Sequence, residues 1–227
     1  MPNNPTAKRS NEVAPETSFG VALTTSPATP RHVMKHGDCF LVVDSHGDIG
    51  SAAGESDGLF LHDTRYLSHL ELRINGLQPL LLGSNLSNDN CVLTVDLANP
   101  DFIEREHIAL KKDLLHVSRT MFVAGEALHQ RLVVHNYGAD AVSLLISVTF
   151  ASDFADLFEV RGLARARRGL GFAEMREGRV TLNYEGLDHV VRRTEIHFEP
   201  TPTALTEASA SFRLSLKPQA STAIYVS

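Results

Sequence analysis

Two short stretches carry side chains that could do chemistry. The first runs Gly58-Leu59-Phe60-Leu61-His62-Asp63-Thr64-Arg65-Tyr66-Leu67-Ser68. Read as an extended strand, it places Asp63 and Arg65 on one face, because side chains two apart align, and Tyr66 on the other. The guanidinium can then fork onto the carboxylate. Two readings stand: an ion pair that pins a strand crossing, or a polar patch shown to a ligand or a partner domain. Carboxylate and guanidinium groups both suit the vicinal hydroxyls of sugars. The second stretch is Asp153-Phe154-Ala155-Asp156-Leu157-Phe158-Glu159-Val160-Arg161-Gly162. Its carboxylates Asp153, Asp156 and Glu159 recur every third residue, which brings them near one face of a helical turn. Two carboxylates flanking a glycosidic bond are the usual apparatus of glycoside hydrolysis; carboxylates this close in sequence are also the pattern of a solvated loop. The spacing is not that of a calcium loop. Arg161, Arg165, Arg167 and Arg168 follow, and beside the acidic run they read as a complementary charge block suited to an interdomain or intersubunit contact.

Other chemistry is poorly represented. Eleven histidines are present, among them His32 and His36, His62 and His69, and His129 and His135. No Cys-x-x-Cys or His-Glu-x-x-His accompanies them, so neither a metal site nor a cofactor is expected. Nucleophile elbow, P-loop and dinucleotide fingerprint are missing. Trp is absent and Tyr occurs four times, which weighs against an autonomous lectin that stacks sugars on exposed aromatic rings. Cys39 and Cys91 form no disulfide framework; a single disulfide between them stays open, and two buried free thiols are the expectation.

The elements that must position these residues are strands. Leu70, Leu72 and Ile74 alternate with Glu71 and Arg73; Cys91, Leu93, Val95 and Leu97 with Val92, Thr94 and Asp96; Val142, Leu144, Ile146, Val148 and Phe150 with Ser143, Ser147 and Thr149. Similar alternation marks 115–123, 190–198 and 212–216, the period of a sheet with one buried face. Asn75-Gly76 is a type I′ turn signal, and Gly/Asp/Asn clusters near 46–48, 136–140 and 185–188 separate the other runs. A helix is expected only over Phe154–Arg168, where Gly162 weakens it. The expected fold is all-β, a large antiparallel two-sheet β-sandwich with little helix. Residues 1–30, rich in Pro, Asn, Ser and Thr, read as a disordered or extended arm, and 31–227 as one sandwich domain.

A net charge of −6 argues against a nucleic-acid partner, and nothing suggests a membrane partner. The N-terminus lacks an apolar signal segment, so the default expectation is cytoplasmic. With 43% hydrophobic residues, a substantial core can form.

The blocks Gly58–Phe60 with Asp63–Ser68, Leu70–Gly76, Leu93–Pro100 and above all Asp153–Gly162 resemble the N-terminal domain of bacterial glycogen debranching enzyme-like (amylo-α-1,6-glucosidase-like) proteins, over about residues 38 to 226. The resemblance implies a β-supersandwich that precedes a helical α/α toroid carrying the catalytic carboxylates. Because the chain stops at Ile224-Tyr225-Val226-Ser227, the toroid is expected to be absent from it, and hydrolase activity is not expected of this chain alone. On this reading Asp63, Arg65, Tyr66, Asp153, Asp156, Glu159 and Arg161 face a glycosidase toroid in cis or in trans, or its substrate, or a second copy of the chain. Two alternatives remain open: a free-standing α-glucan-binding protein, and a glycoside hydrolase using carboxylates of the 153–159 loop.

Overall fold

Alternating sequences cannot bury their apolar face alone, so strands must collect into sheets that meet face to face. In the computed structural model, which describes residues 30–50, 56–163 and 165–227, they do so as a sandwich of antiparallel sheets. The arm expected over residues 1–30 lies, but for Pro30, outside the described residues.

In chain order the strands are β1 (His32–His36), β2 (Cys39–Val43), β3 (Gly58–Leu61), β4 (Thr64–Leu67), β5 (His69–Ile74), β6 (Leu80–Leu86), β7 (Val92–Ala98), β8 (Phe102–Glu104), β9 (His107–Leu110), β10 (Leu115–Ala124), β11 (Ala127–Asn136) and β12 (Val142–Ala151). The single helical turn α1 (Leu157–Val160) is followed by β13 (Leu170–Arg176), β14 (Arg179–Glu185), β15 (Val191–Glu199), β16 (Ala204–Leu205), β17 (Ser209–Leu216) and β18 (Ser221–Val226). One layer is an eight-stranded sheet of order β13-β14-β15-β18-β11-β10-β7-β6. Opposite it stand two four-stranded sheets, β1-β2-β3-β4 and β16-β17-β12-β5. A backbone bond from Ser68 N–H to Ala151 O (2.8 Å) and the Ile49–Leu70 bridge join these two.

The alternation read from the sequence becomes the core. Leu70, Leu72 and Ile74 of β5 and Ile146, Val148 and Phe150 of β12 are buried against Leu93, Val95 and Leu97 of β7 and Val117 and Met121 of β10. Each such side chain is worth roughly 1.5–3 kcal/mol when fully buried. Phe150 and Phe212 both lean on Phe198 across the layers, with ring centroids 5.7 and 6.1 Å apart. Asn75 and Gly76 both take positive φ (48° and 79°), and Ile74 and Leu77 exchange both backbone bonds around them. The expected tight turn is therefore present. It serves as a corner: β5 pairs with β12, and the chain leaves the turn to reach β6 in the other layer.

Polar side chains also stand at inward positions, Arg119 the largest of them. Arg119 on β10, in phase with Val117 and Met121, is fully buried. Its Nη1 donates to Asp48 Oδ1 (2.5 Å) and to the His46 carbonyl (2.9 Å), and its Nε to Gln130 Oε1 (2.7 Å). Asp48 also accepts from the Leu72 N–H (3.2 Å), while Asp44 closes the turn by accepting from the N–H groups of His46 and Asp48. Burial pushes the Asp48 carboxyl above its ordinary value, opposed by the charge and hydrogen bond of Arg119. Through this cluster the 44–48 turn is tied to both layers.

Cys39 is buried as expected, whereas Cys91 is exposed. Cys91 stands just before β7, in the turn that Ser87 and Asp89 organise through its N–H, and so misses the alternation that buries Leu93. Among the described residues no helix is long and apolar enough to cross a membrane.

Candidate functional site

The 58–68 stretch, read as one extended strand, is two strands with a turn between them. β3 turns at His62 and Asp63, which take left-handed φ of 45° and 64°, and returns as β4; Ser68 separates β4 from β5. Asp63 is therefore an exposed turn residue, not the strand neighbour of Arg65. The expected Asp63–Arg65 fork does not form, because the turn between β3 and β4 breaks the period of two. Arg65 forks onto Asp153 instead: Nε to Oδ1 at 3.1 Å and Nη2 to Oδ2 at 2.5 Å. Its Nη1 also donates to the Asp57 carbonyl at 3.1 Å. The pair is largely covered, with side-chain exposures of 14% and 27%.

The 153–157 segment lies along β4 as an irregular extra strand. Arg65 N–H donates to Ala155 O (2.8 Å), Leu157 N–H to Asp63 O (3.1 Å), and Thr64 bridges to Asp156. Ser152 Oγ and Thr194 Oγ1 both donate to the Tyr66 carbonyl, the latter at 2.6 Å. Between these bonds an aromatic stack is held. Phe154 is buried edge-on to Tyr66 (5.7 Å) and face-on to Tyr184 of β14 (5.6 Å, planes 9° apart). Phe154 has φ of +49°, which costs on the order of 1 kcal/mol for a residue with a side chain; burial of its ring offsets this.

The helix expected over Phe154–Arg168 shrinks to the single turn α1 because both ends are capped. Asp156 is the N-cap: its side chain accepts from Phe158 and Glu159 N–H at 2.9 Å, and Glu159 answers by accepting from Asp156 N–H at 3.1 Å. That reciprocal pairing is a capping box. At the other end Gly162 has φ of +99°, Leu163 N–H reaches Phe158 O and Gly162 N–H reaches Glu159 O. These two bonds are a Schellman stop, for which glycine is suited. Asp153, Asp156 and Glu159 consequently do not share a helical face: the first precedes the helix and pairs with Arg65, and the other two cap it.

The arginine block is partly consumed within the chain. Arg165 Nη2 pairs with Asp156 (2.5 Å) and Glu159 (2.8 Å), and Arg168 Nη2 donates to the Asp153 carbonyl (2.5 Å). Tyr184 Oη accepts from Gly169 N–H at 2.8 Å. Arg161 and Arg167 remain at the surface. The Glu159 N–H, helped by Arg165 and the Phe158 N–H, holds the Asp156 carboxyl below its ordinary value against desolvation. A glycosidase general acid needs the opposite, a raised pKa. Around the clamp lies an apolar rim: Phe158, Leu163 and Leu170 are each about two-thirds exposed (68%, 66% and 69%), and Phe172 and Met175 of edge strand β13 about half.

Sequence reasoning brought Arg65, Tyr66, Asp153, Asp156 and Glu159 into view, and the structure gathers all five around β4 and α1. It missed Tyr184, Thr194 and the inward pair of Arg119 and Asp48. The first two had no local signal; Arg119 did, as a charged residue in phase with apolar neighbours. Among the described residues no group of three or more His, Cys, Asp or Glu side chains converges to hold a metal ion.

No curated protein matches the chain. A family model for the N-terminal domain of some glycogen debranching enzymes matches residues 34–227, which takes in every strand after the start of β1. The clamp of β4, α1 and β14 lies wholly inside that span, and the chain belongs to the family of glycogen debranching enzyme N-terminal domains.

Proposed function

We propose that this domain is a non-catalytic support for a glycosidase domain, which docks on the face around α1 and β13. The observation that carries the reading is the use already made of the three carboxylates. Asp153 is committed to Arg65, while Asp156 and Glu159 cap α1 and share Arg165. Groups so committed are poor acids or nucleophiles and good rivets. They hold Phe158, Leu163 and Leu170 outward, with Arg161 and Arg167 nearby, and apolar contacts ringed by charge are the composition of a protein interface. The catalytic partner is an α/α-toroid domain, supplied in cis or in trans; a second copy of the chain would cover the same face in its absence. The test is calorimetric titration of the chain into a separately expressed glycosidase domain from a full-length family member. Binding that Phe158→Asp or Leu170→Asp weakens by tenfold or more, roughly 1.4 kcal/mol, supports the reading; no heat with the unaltered chain refutes it.

A second reading, α-glucan binding, draws on the outer face of the eight-stranded sheet. There Phe122 of β10 and His129 of β11 stack at 4.9 Å with planes 18° apart, and Tyr225 of β18 stands half-exposed across from Arg131. Aromatic faces beside polar groups suit sugar rings. Titration with maltooligosaccharides tests it: heat lost in Tyr225→Ala supports glucan binding there, and none at millimolar ligand removes it.

A further inference from the structure

The eight-stranded sheet ends in β13 on one side and β6 on the other. The two edges differ. The β6–β7 ladder shifts register between Leu81 and Gly83, and a bulge is one way in which an edge is blunted against a further strand. The β13–β14 ladder runs unbroken from the pair Leu170–Glu185 to the pair Arg176–Arg179. β13 contains neither proline nor lysine, the other usual guards of an edge. Six of its seven residues are exposed. Half the backbone groups of such a strand point away from its one neighbour and are open to a second.

The residues along this edge decide which strand fits it. Basic, apolar and acidic positions follow one another as Arg168, Leu170, Phe172 and Glu174. Leu170 and Phe172 are largely exposed. Arg168 gives one donor to the Asp153 carbonyl, and a guanidinium has five. Glu174 is exposed and forms no salt bridge among the described residues. Two identical strands that pair antiparallel about a two-fold axis place one residue opposite itself, so the sequence meets its own reverse. With the axis at Gly171, Leu170 stands opposite Phe172 of the second copy and Arg168 opposite Glu174, each twice. An axis at Phe172 sets Arg168 against Arg176 and Leu170 against Glu174; one at Ala173 sets Phe172 against Glu174 and Leu170 against Arg176. One at Glu174 sets that carboxylate against itself, and one at Met175 carries Leu170 and Phe172 past the end of the facing strand. Of these registers, the one about Gly171 alone joins opposite charges and also joins apolar residues, the pairings that stabilise a sheet.

We propose that, in the chain alone, a second copy pairs with β13 antiparallel about a two-fold axis at Gly171, joining two eight-stranded sheets into one. The order of charged and apolar residues along β13 carries the inference, because a two-fold interface must complement its own reverse. Glycine at the axis lets the two backbones approach with no side chain between them. The strand of an unrelated protein would need none of this symmetry. The proposal rests on the reading of the β13 side as an interface and adds to it the geometry of the second copy. Its test uses the chain alone, and so fails or succeeds apart from the glycosidase titration.

Sedimentation velocity over a concentration series is expected to show a monomer–dimer equilibrium for the unaltered chain. Phe172→Lys places an ammonium on the edge and is expected to weaken the dimer about tenfold or more. Arg168→Glu, which meets Glu174 with a like charge, is expected to do the same. Adding Glu174→Arg to Arg168→Glu reverses both members of each pair and is expected to restore the dimer. A chain that stays monomeric at about 100 μM overturns the proposal. So does a dimer that Phe172→Lys and Arg168→Glu leave unchanged, and so does an Arg168→Glu defect that Glu174→Arg fails to restore. If Arg168→Glu disturbs the fold through its lost bond to Asp153, hydrogen exchange of the unaltered chain decides. The outward amides of β13 are expected to exchange about tenfold slower or more where the dimer predominates than where the monomer does; equal rates overturn the pairing.

Discussion

Arg119 Nη1 lies 2.5 Å from Asp48 Oδ1 with both side chains out of reach of solvent, in the middle of an apolar sandwich. Such a pair is weak evidence of net stabilisation, but removing one partner strands a buried charge. Arg119→Met and Asp48→Ala are each expected to destabilise the domain by about 3–5 kcal/mol. The double variant, which leaves neither member of the pair without its partner, is expected to cost less than the sum. Urea unfolding measures all three, and strict additivity would show that the pair does not act as a unit.

The fork between Arg65 and Asp153 ties β4 to the segment after β12. Bidentate pairs of this kind depend on the planar guanidinium. A double-mutant cycle with Arg65→Met and Asp153→Asn is expected to give a coupling of about 1–3 kcal/mol. Arg65→Lys should recover only part of it, since an ammonium cannot occupy both oxygens in the same way. A coupling near zero would make the fork incidental.

Acid should loosen the cap of α1. The Asp156 carboxyl is depressed in the folded chain, chiefly by the Glu159 N–H. A depressed carboxyl contributes stability that is present above its unfolded value, about 3.9, and lost as pH falls through the folded value. The amide shifts of Phe158 and Glu159 are therefore expected to titrate together with a midpoint below pH 4, and Asp156→Asn should abolish the transition. A midpoint above pH 5 would contradict the capping geometry.

The two thiols should differ sharply in reactivity. Cys39 is buried at 1% exposure, while Cys91 is exposed. Both are held above the ordinary thiol value, Cys39 by burial and then Glu126, and Cys91 by desolvation and then Asp89. An aromatic disulfide reagent should modify one thiol in the native protein, faster as pH is raised toward 9, and both after unfolding. Early modification of Cys39 would place it nearer solvent than the fold allows.

How much of this was legible follows from where each signal sits. The period of two fixed which residues face inward on β5, β7, β10 and β12, so the sandwich could be read directly. The same pattern marked Arg119 between Val117 and Met121, and Gln130 between Leu128 and Leu132, as inward polar groups, although it could not name their partners. The cap of α1 was also present in local spacing, as Asp156, Glu159 three residues later and Gly162 at the stop. The Asp63–Arg65 pairing failed because His62 and Asp63 adopt positive φ without a glycine to announce the turn. Arg65 and Asp153 stand 88 positions apart, and Tyr66 meets Tyr184 only through Phe154. Contacts of that range depend on strand order, which a local pattern does not contain.

The central claim is that the carboxylates of the 153–159 loop hold the structure together and do not cleave glycosidic bonds. Its most direct test is the release of glucose from an α-1,6-branched maltooligosaccharide by the purified chain, alongside a full-length debranching enzyme of the family. The account predicts no release by this chain under conditions where the full-length enzyme turns over, and a lowered melting temperature for Asp153→Asn and for Asp156→Asn. Glucose release by the chain alone, abolished by either substitution while the melting temperature is unchanged, would contradict it.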